Sequence, residues 1–399
     1  MRLRFDEGAF TAWWHERGHF PLEMPGKTPN LQVMYKRSLL SRVGMYAIGA
    51  CAAGGLASTV DAQTAIADWS IMVSDASNYT DQANGLNYRN TTYAITSFST
   101  GSTSYGLSST IASAVYVRRN TDSSGNGSSN QSGIDNNNRS SVWNTQYDDT
   151  DRLLGTYQTS LNGVLLNNNA VMGADNVFAN SSDASRKSAG NIERLDFYFG
   201  ATTVNAREGL TIFDRGLAGE HDSVKIAVFT SWNGANGGSP LSYSGNVVTL
   251  GASSYGNNLD WNPNQAGVQD SMTYTLLRFN NGDNLTALDE AIETNTQGVA
   301  GSFISFADLG IASGTTIYGY SIMGSDVTTS VSNLADWRNA TYYPTGTTDD
   351  NGGIDLMSFN GRIARPVPEP STYGALLLGG CVGVWFFRRR SLSAQTQRV

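Results

Sequence analysis

Three clusters of carboxylates and a few aromatic side chains are the chemistry this sequence offers. The first cluster is Asp148, Asp149 and Asp151, and the second is Asp214, Glu220 and Asp222. The third is Asp349, Asp350 and Asp355, in the run Asp-Asp-Asn-Gly-Gly-Ile-Asp. Glycoside hydrolysis needs two carboxylates across a cleft, and calcium needs several oxygen ligands on a flexible loop. The glycine pair in the third cluster permits a tight ligand loop, so calcium is the one metal to expect there, at Asp349, Asp350 and Asp355. No EF-hand spacing occurs, and the plain alternative for all three clusters is solvated turn carboxylates. His221-Asp222 could orient a general base. A triad would also need a nucleophile in a recognisable setting, and no Gly-x-Ser-x-Gly is present. The pair therefore reads as turn residues before a strand, and no catalytic residue is assigned. Trp261, in Asn-Leu-Asp-Trp-Asn-Pro-Asn, and Trp337, in Asp-Trp-Arg-Asn, lie in polar surroundings. Exposed tryptophan faces stack on sugar rings, so these two are the candidate glycan platform.

The elements that must position these residues are strands. Val224, Ile226, Val228, Thr230 and Trp232 alternate with more polar or smaller neighbours, which is a period-2 strand with one buried face. Leu195, Phe197 and Phe199 alternate in the same way. Similar short runs occur at 71–73, 93–98, 111–117, 210–213, 247–250, 272–279, 303–306 and 317–323, separated by Gly, Asn, Asp and Ser. Short helices are expected at 151–158 and 287–293. Long 3.6-period segments are absent, which disfavours an α/β fold with crossover helices. The expected fold is mainly β, a β-sandwich or jelly roll. Thr121–Ser141 has Ile134 as its one apolar residue and reads as a low-complexity loop. It separates strands at 63–119 from the body at 142–365, in one domain with an insertion or in two.

Charge narrows the partners. The 399 residues carry a formal net charge of -8. The stretch 63–365 holds 28 Asp plus Glu against 15 Lys plus Arg, a net of −13. Nucleic acid is excluded as a partner, because binding a phosphate backbone needs clustered Lys and Arg. Cys51 and Cys381 both fall outside 63–365, so that domain has neither a disulfide framework nor a thiolate metal site.

Both ends carry export features. Lys36, Arg37 and Arg42 precede an apolar, small-residue run from Val43 to Leu56, and Val60-Asp61-Ala62 suits signal peptidase. This makes 34–62 a signal peptide. Residues 1–33 lack periodicity and read as a misassigned start, with Met34 the initiator. At the other end, Val367-Pro368-Glu369-Pro370-Ser371-Thr372 precedes an apolar or small run at 373–387. Arg388, Arg389 and Arg390 follow directly. As a helix the run spans roughly 22 Å at ~1.5 Å per residue, short against a hydrocarbon core of ~30 Å. The arginines should stay cytoplasmic, leaving the preceding domain outside the inner membrane. Gly361–Pro366 reads as the linker.

This tripartite end, 366–399, resembles the PEP-CTERM sorting signal. The resemblance covers about the last 33 residues. It implies a Gram-negative bacterium that makes extracellular polysaccharide, and an exosortase that cuts near Pro368-Glu369-Pro370. The precursor would be anchored in the inner membrane, and the mature protein would reach the cell surface or extracellular matrix. The expected role is a structural or adhesive matrix protein without enzymatic activity, with extracellular polysaccharide as partner. The alternatives are a carbohydrate-binding module and a polysaccharide-active glycoside hydrolase.

Overall fold

The computed structural model describes residues 63–73, 78–80, 87–89, 93–101, 103–119, 141–146, 152–153, 161–167, 169–178, 192–217, 219–234, 238–260, 271–278, 290–328, 330–344, 353–358, 361–368 and 377–385. By internal contacts the chain divides into Met1–Leu56 and Ala57–Val399, and all the described residues belong to the second unit. The signal-peptide segment and most of the low-complexity loop lie outside the described residues.

The fold is mainly β and sandwich-like. In chain order the strands are β1 (Thr64–Ala65), β2 (Asp68–Val73), β3 (Asn78–Thr80), β4 (Asn87–Arg89), β5 (Tyr93–Thr100), β6 (Thr103–Ile111) and β7 (Ala114–Arg119). Then come β8 (Ser141–Gln146), β9 (Arg152–Leu153), helix α1 (Leu161–Leu166), β10 (Met172–Asp175), β11 (Ile192–Thr203), β12 (Gly209–Gly216) and β13 (Val224–Trp232). The last are β14 (Pro240–Leu250), β15 (Met272–Arg278), β16 (Glu290–Ser305), β17 (Thr316–Gly324) and β18 (Arg362–Pro366). Thirteen strands form one sheet, whose central run is β2-β5-β6-β18-β12-β16-β15-β8. Five form the other, in the order β14-β13-β17-β11-β7. The pairing is antiparallel apart from β4 with β9.

The main core lies between the sheets. Val115, Leu195, Phe197, Val224, Ile226 and Ile322 from the small sheet meet Leu210, Ile212, Ile304 and Ile363 from the large one. Alternation puts the neighbouring residues on the opposite faces. On the far side of the large sheet, Trp69, Phe98, Phe213, Phe303 and Ala364 build a second core, around which that sheet curls. Helix α1 follows from the spacing of Leu161, Val164 and Leu165, which puts all three buried side chains on one face. The strands of 63–119 are woven into both sheets, β6 against β18 and β7 against β11.

Five local expectations are corrected. Arg152–Leu153 and the part of 287–293 that is described, 290–293, are strand, not helix. The run 111–117 is broken at Ala112-Ser113, where β6 ends and β7 begins. Trp232 leaves the inner face, because register shifts in β13 after Phe229 turn it outward. There it packs against Tyr198 and Tyr116, with ring centroids 4.6 and 4.9 Å away. Gly361–Pro366 is no linker: β18 lies between β6 and β12, and Ile363 and Ala364 are fully buried.

The outer face of the small sheet holds buried charge. Asp196 accepts from Arg194 Nε at 2.6 Å, Arg118 Nε at 2.7 Å and Ser321 Oγ at 2.6 Å. Burial opposes the Asp196 charge, but the two guanidiniums outweigh it and hold its carboxyl below the ordinary range. Residues 331–343 roof this network, with Leu334, Trp337 and Tyr343 buried against the sheet. Glu193, next along β11, is 3% exposed. Burial first, and Asp326 second, push its pKa up to about 9. A raised carboxyl contributes stability that is complete below the unfolded value and lost as pH rises through the folded one. The domain should therefore weaken between pH 4.5 and about 9 through this group. Glu193→Gln removes that loss. Thermal melts of variant and wild type should coincide near pH 4, with the variant ahead by about 5 °C or more at pH 9. A constant offset across pH would rule Glu193 out as the group responsible.

Candidate functional site

Two carboxylate clusters that are far apart in sequence converge at one end of the large sheet. β12 ends in Asp214, Arg215 and Gly216. β10 ends in Asp175. The segment 353–358 runs between these strands, held by bridges Gly173↔Met357, Val177↔Ile354 and Asp214↔Leu356, and brings in Asp355. The connection from β12 to β13 adds Glu220 and Asp222, and β15 and β16 add Tyr274, Leu276 and Gln297. Together with Asn176 and Gly353 these residues, Asp214 excepted, line a cavity of about 420 Å³.

Arg215 is the hub. Its Nη2 donates to both Asp175 Oδ1 and Asp355 Oδ2. Its guanidinium lies 3.4 Å from the centre of the Tyr274 ring, within cation–π range. Asn176 ties the two carboxylates together: its backbone N–H donates to Asp355 Oδ1 and its Nδ2 to Asp175 Oδ2, both at 2.8 Å. Burial, and next the neighbouring Asp355, push the Asp175 carboxyl well above the ordinary carboxylate range, although Arg215 pulls the other way.

Asp214, fully buried behind the cavity, organises the rest. Its Oδ1 accepts the Asp355 N–H at 2.9 Å and its Oδ2 accepts the Asp222 N–H at 2.8 Å. His221 Nδ1 lies 3.3 Å from Asp214 Oδ2, and Nε2 lies 3.1 Å from Asn258 Oδ1. An acceptor oxygen at each ring nitrogen fits the protonated imidazolium. Burial works against that charge, but the Asp214 hydrogen bond and charge prevail and the His221 pKa is raised. A Cβ on Gly216 would sit 3.0 Å from His221 Nδ1, so a larger residue there would crowd the ring. His221 thus pairs with Asp214, not with its sequence neighbour Asp222. It anchors the loop that carries Glu220 and Asp222 to the rim.

The sequence candidates fare differently. Trp337 is 5% exposed, roofing the outer face of the small sheet with Arg338 over its ring, so it offers no open face to a sugar. Trp261, Asp349, Asp350 and the cluster Asp148, Asp149 and Asp151 lie outside the described residues. Asp355 is an ion-pair partner of Arg215, which supplies the positive charge that a calcium ion would have brought. Among the described residues no group of three or more His, Cys, Asp or Glu is arranged to hold a metal ion. Asp175 was not singled out from the sequence: Met-Gly-Ala-Asp has no second carboxylate nearby to draw notice. Of the sorting motif, Val367 and Pro368 are described and exposed, directly after β18. Glu369, Pro370, Ser371, Thr372 and Arg388–Arg390 lie outside the described residues. Residues 377–385 form a helix with Leu377, Leu378, Val382, Val384 and Trp385 exposed. Among the described residues no helix is long and apolar enough to cross a membrane.

Fold and site together define a mainly-β, sandwich-like domain with a carboxylate-lined cavity bridged by arginine. No family model matches the chain, and neither the curated proteins nor the solved structures compared with it give a match.

Proposed function

We propose that the chain is an exported, adhesive component of the cell surface or extracellular matrix, and that its cavity holds extracellular polysaccharide. Signal peptidase would remove 34–62, and an exosortase would process the inner-membrane precursor at the motif Val367–Thr372. The observation that carries the binding role is the cavity itself. Its volume, about 420 Å³, lies in the range of small-ligand sites. Its carboxylates accept from sugar hydroxyls, and Arg215 and Asn176 donate to them. The surplus of carboxylates over cations disfavours uronic acids and favours neutral or amine-bearing sugars. Hydrolysis is the second reading, favoured by Asp175, a carboxyl held toward its protonated form beside Asp355. It ranks behind binding because both carboxylates share one guanidinium nitrogen instead of facing each other across a cleft.

The test is recovery from the native host. The wild-type domain should fractionate with extracellular polysaccharide, with termini near Gln63 and just after Val367. Glu220→Gln with Asp222→Asn, which leaves both Arg215 ion pairs in place, should shift most of it to the soluble medium. An intact mass reaching Val399 would overturn the matrix role. Unchanged retention of the double variant would overturn the cavity as the binding site.

A further inference from the structure

The chain leaves the domain from the interior of the large sheet. β18 runs antiparallel to β12, with Ala364 facing Gly209 and Ile363 facing Leu210. Its C-terminal end therefore lies at the beginning of β12. The Val367 N–H donates to the Ser104 carbonyl at 2.8 Å, so the sheet grips the chain up to the start of the Val-Pro-Glu-Pro run. The turn at Gly101 and the connection 204–208 lie at this same end. The cavity lies at the other end of β12, around Arg215 and Gly216. From the level of Val367 to Arg215 is nine strand positions, about 30 Å at ~3.4 Å each.

Nine residues, 368–376, lie between Val367 and the described helical residues 377–385. Fully stretched, nine residues reach about 30 Å. Two of them, Pro368 and Pro370, have a fixed φ. To lay the cavity end on a bilayer that held the helix, this linker would have to run taut along the full length of the domain. With Gly101 and Glu208 turned to the bilayer, it needs no such stretch. Arg207, exposed at that end, also offers a cation to lipid phosphates.

We infer that the tethered precursor stands with the Gly101 and Arg207 end against the lipid headgroups and its carboxylate cavity opening away from the membrane. The site is thus presented toward the matrix before any cut is made. This rests on the reading that the C-terminal segment enters a bilayer.

The experiment uses the full chain with Cys51→Ser and Cys381→Ser, adding either Arg207→Cys or Glu220→Cys for a fluorophore. Both positions are on the surface. The protein is reconstituted into phosphatidylcholine–phosphatidylglycerol vesicles that carry a headgroup-linked quencher. Quenching at position 207 should exceed that at 220 at least threefold. Inserting about twenty Gly and Ser residues after Pro370 should bring the two toward equality. Equal or stronger quenching at 220, in protein that floats with the vesicles, overturns the inference and leaves the membrane reading standing. Protein that does not float with them overturns the membrane reading and the inference with it. A ratio unmoved by the longer linker overturns the tether as its cause.

Discussion

Truncation after Gly361 abolishes cooperative folding, whereas truncation after Pro368 leaves the melting midpoint within about 2 °C of the full chain. Seven residues, 362–368, make the difference, and five of them are β18. β18 is bonded on both edges, to β6 and to β12, so its loss leaves two facing rows of backbone groups without partners inside the sheet. Its side chains serve both cores: Ile363 belongs to the one between the sheets and Ala364 to the one that the large sheet encloses. Emptying the Ile363 position alone costs about 2–5 kcal/mol. The Arg365 to Glu208 ion pair at 2.8 Å is exposed and adds little. The lost burial and the stranded hydrogen bonds together reach the whole stability of an ordinary domain, about 5–15 kcal/mol. Circular dichroism melts of the two truncated chains decide the matter. A sharp transition in the shorter one would show that β18 is dispensable. If the strand is needed as argued, a sorting cut is compatible with a folded product only beyond Val367.

The same strand shows where the sequence stops being informative. Period-2 alternation located β13, β11, β5 and β17 because each puts apolar residues on one face at every second position. Arg-Ile-Ala-Arg-Pro has too few positions for a period and ends in a proline, a residue tolerated only at the margins of a sheet. It also abuts a motif that invites reading everything near it as linker. Trp337 was misplaced for a related reason. Its neighbours Asp336, Arg338 and Asn339 are polar because they form turns, yet those turns cap the outer face of a sheet, and the tryptophan points into it. The site was half legible. Asp214, Glu220, Asp222 and Asp355 stood out as clustered carboxylates. Nothing local could reveal that the bridges from 353–358 to β10 and β12 join them, or that Arg215 and Asp175 complete the set. Their meeting depends on pairings across up to 184 residues, as in Gly173↔Met357.

Arg215→Met is the second large effect, and its signature is a pH dependence. The guanidinium is 2% exposed in a cavity where it faces Asp175 and Asp355, with Asp214 behind them. Removing one partner of a buried ion pair leaves uncompensated charge and costs about 3–5 kcal/mol. The contact with Tyr274 is lost as well. Methionine fills much of the volume, so little of the loss is cavity formation. The carboxyls can relieve the repulsion by taking up protons. Arg215 is what pulls the Asp175 pKa down, so without it the folded-state value rises further above the unfolded one, about 3.9. A carboxyl raised in this way favours folding fully below the unfolded value and progressively less as pH climbs through the folded one. The deficit of the variant is therefore largest at neutral pH and shrinks as pH falls toward about 4. Urea titrations at pH 7.5 and pH 4.5 should show the gap between variant and wild type narrowing by at least half. An equal gap at both pH values would mean that Arg215 stabilises the fold through packing alone. The carboxylates around it would then gain nothing from its charge.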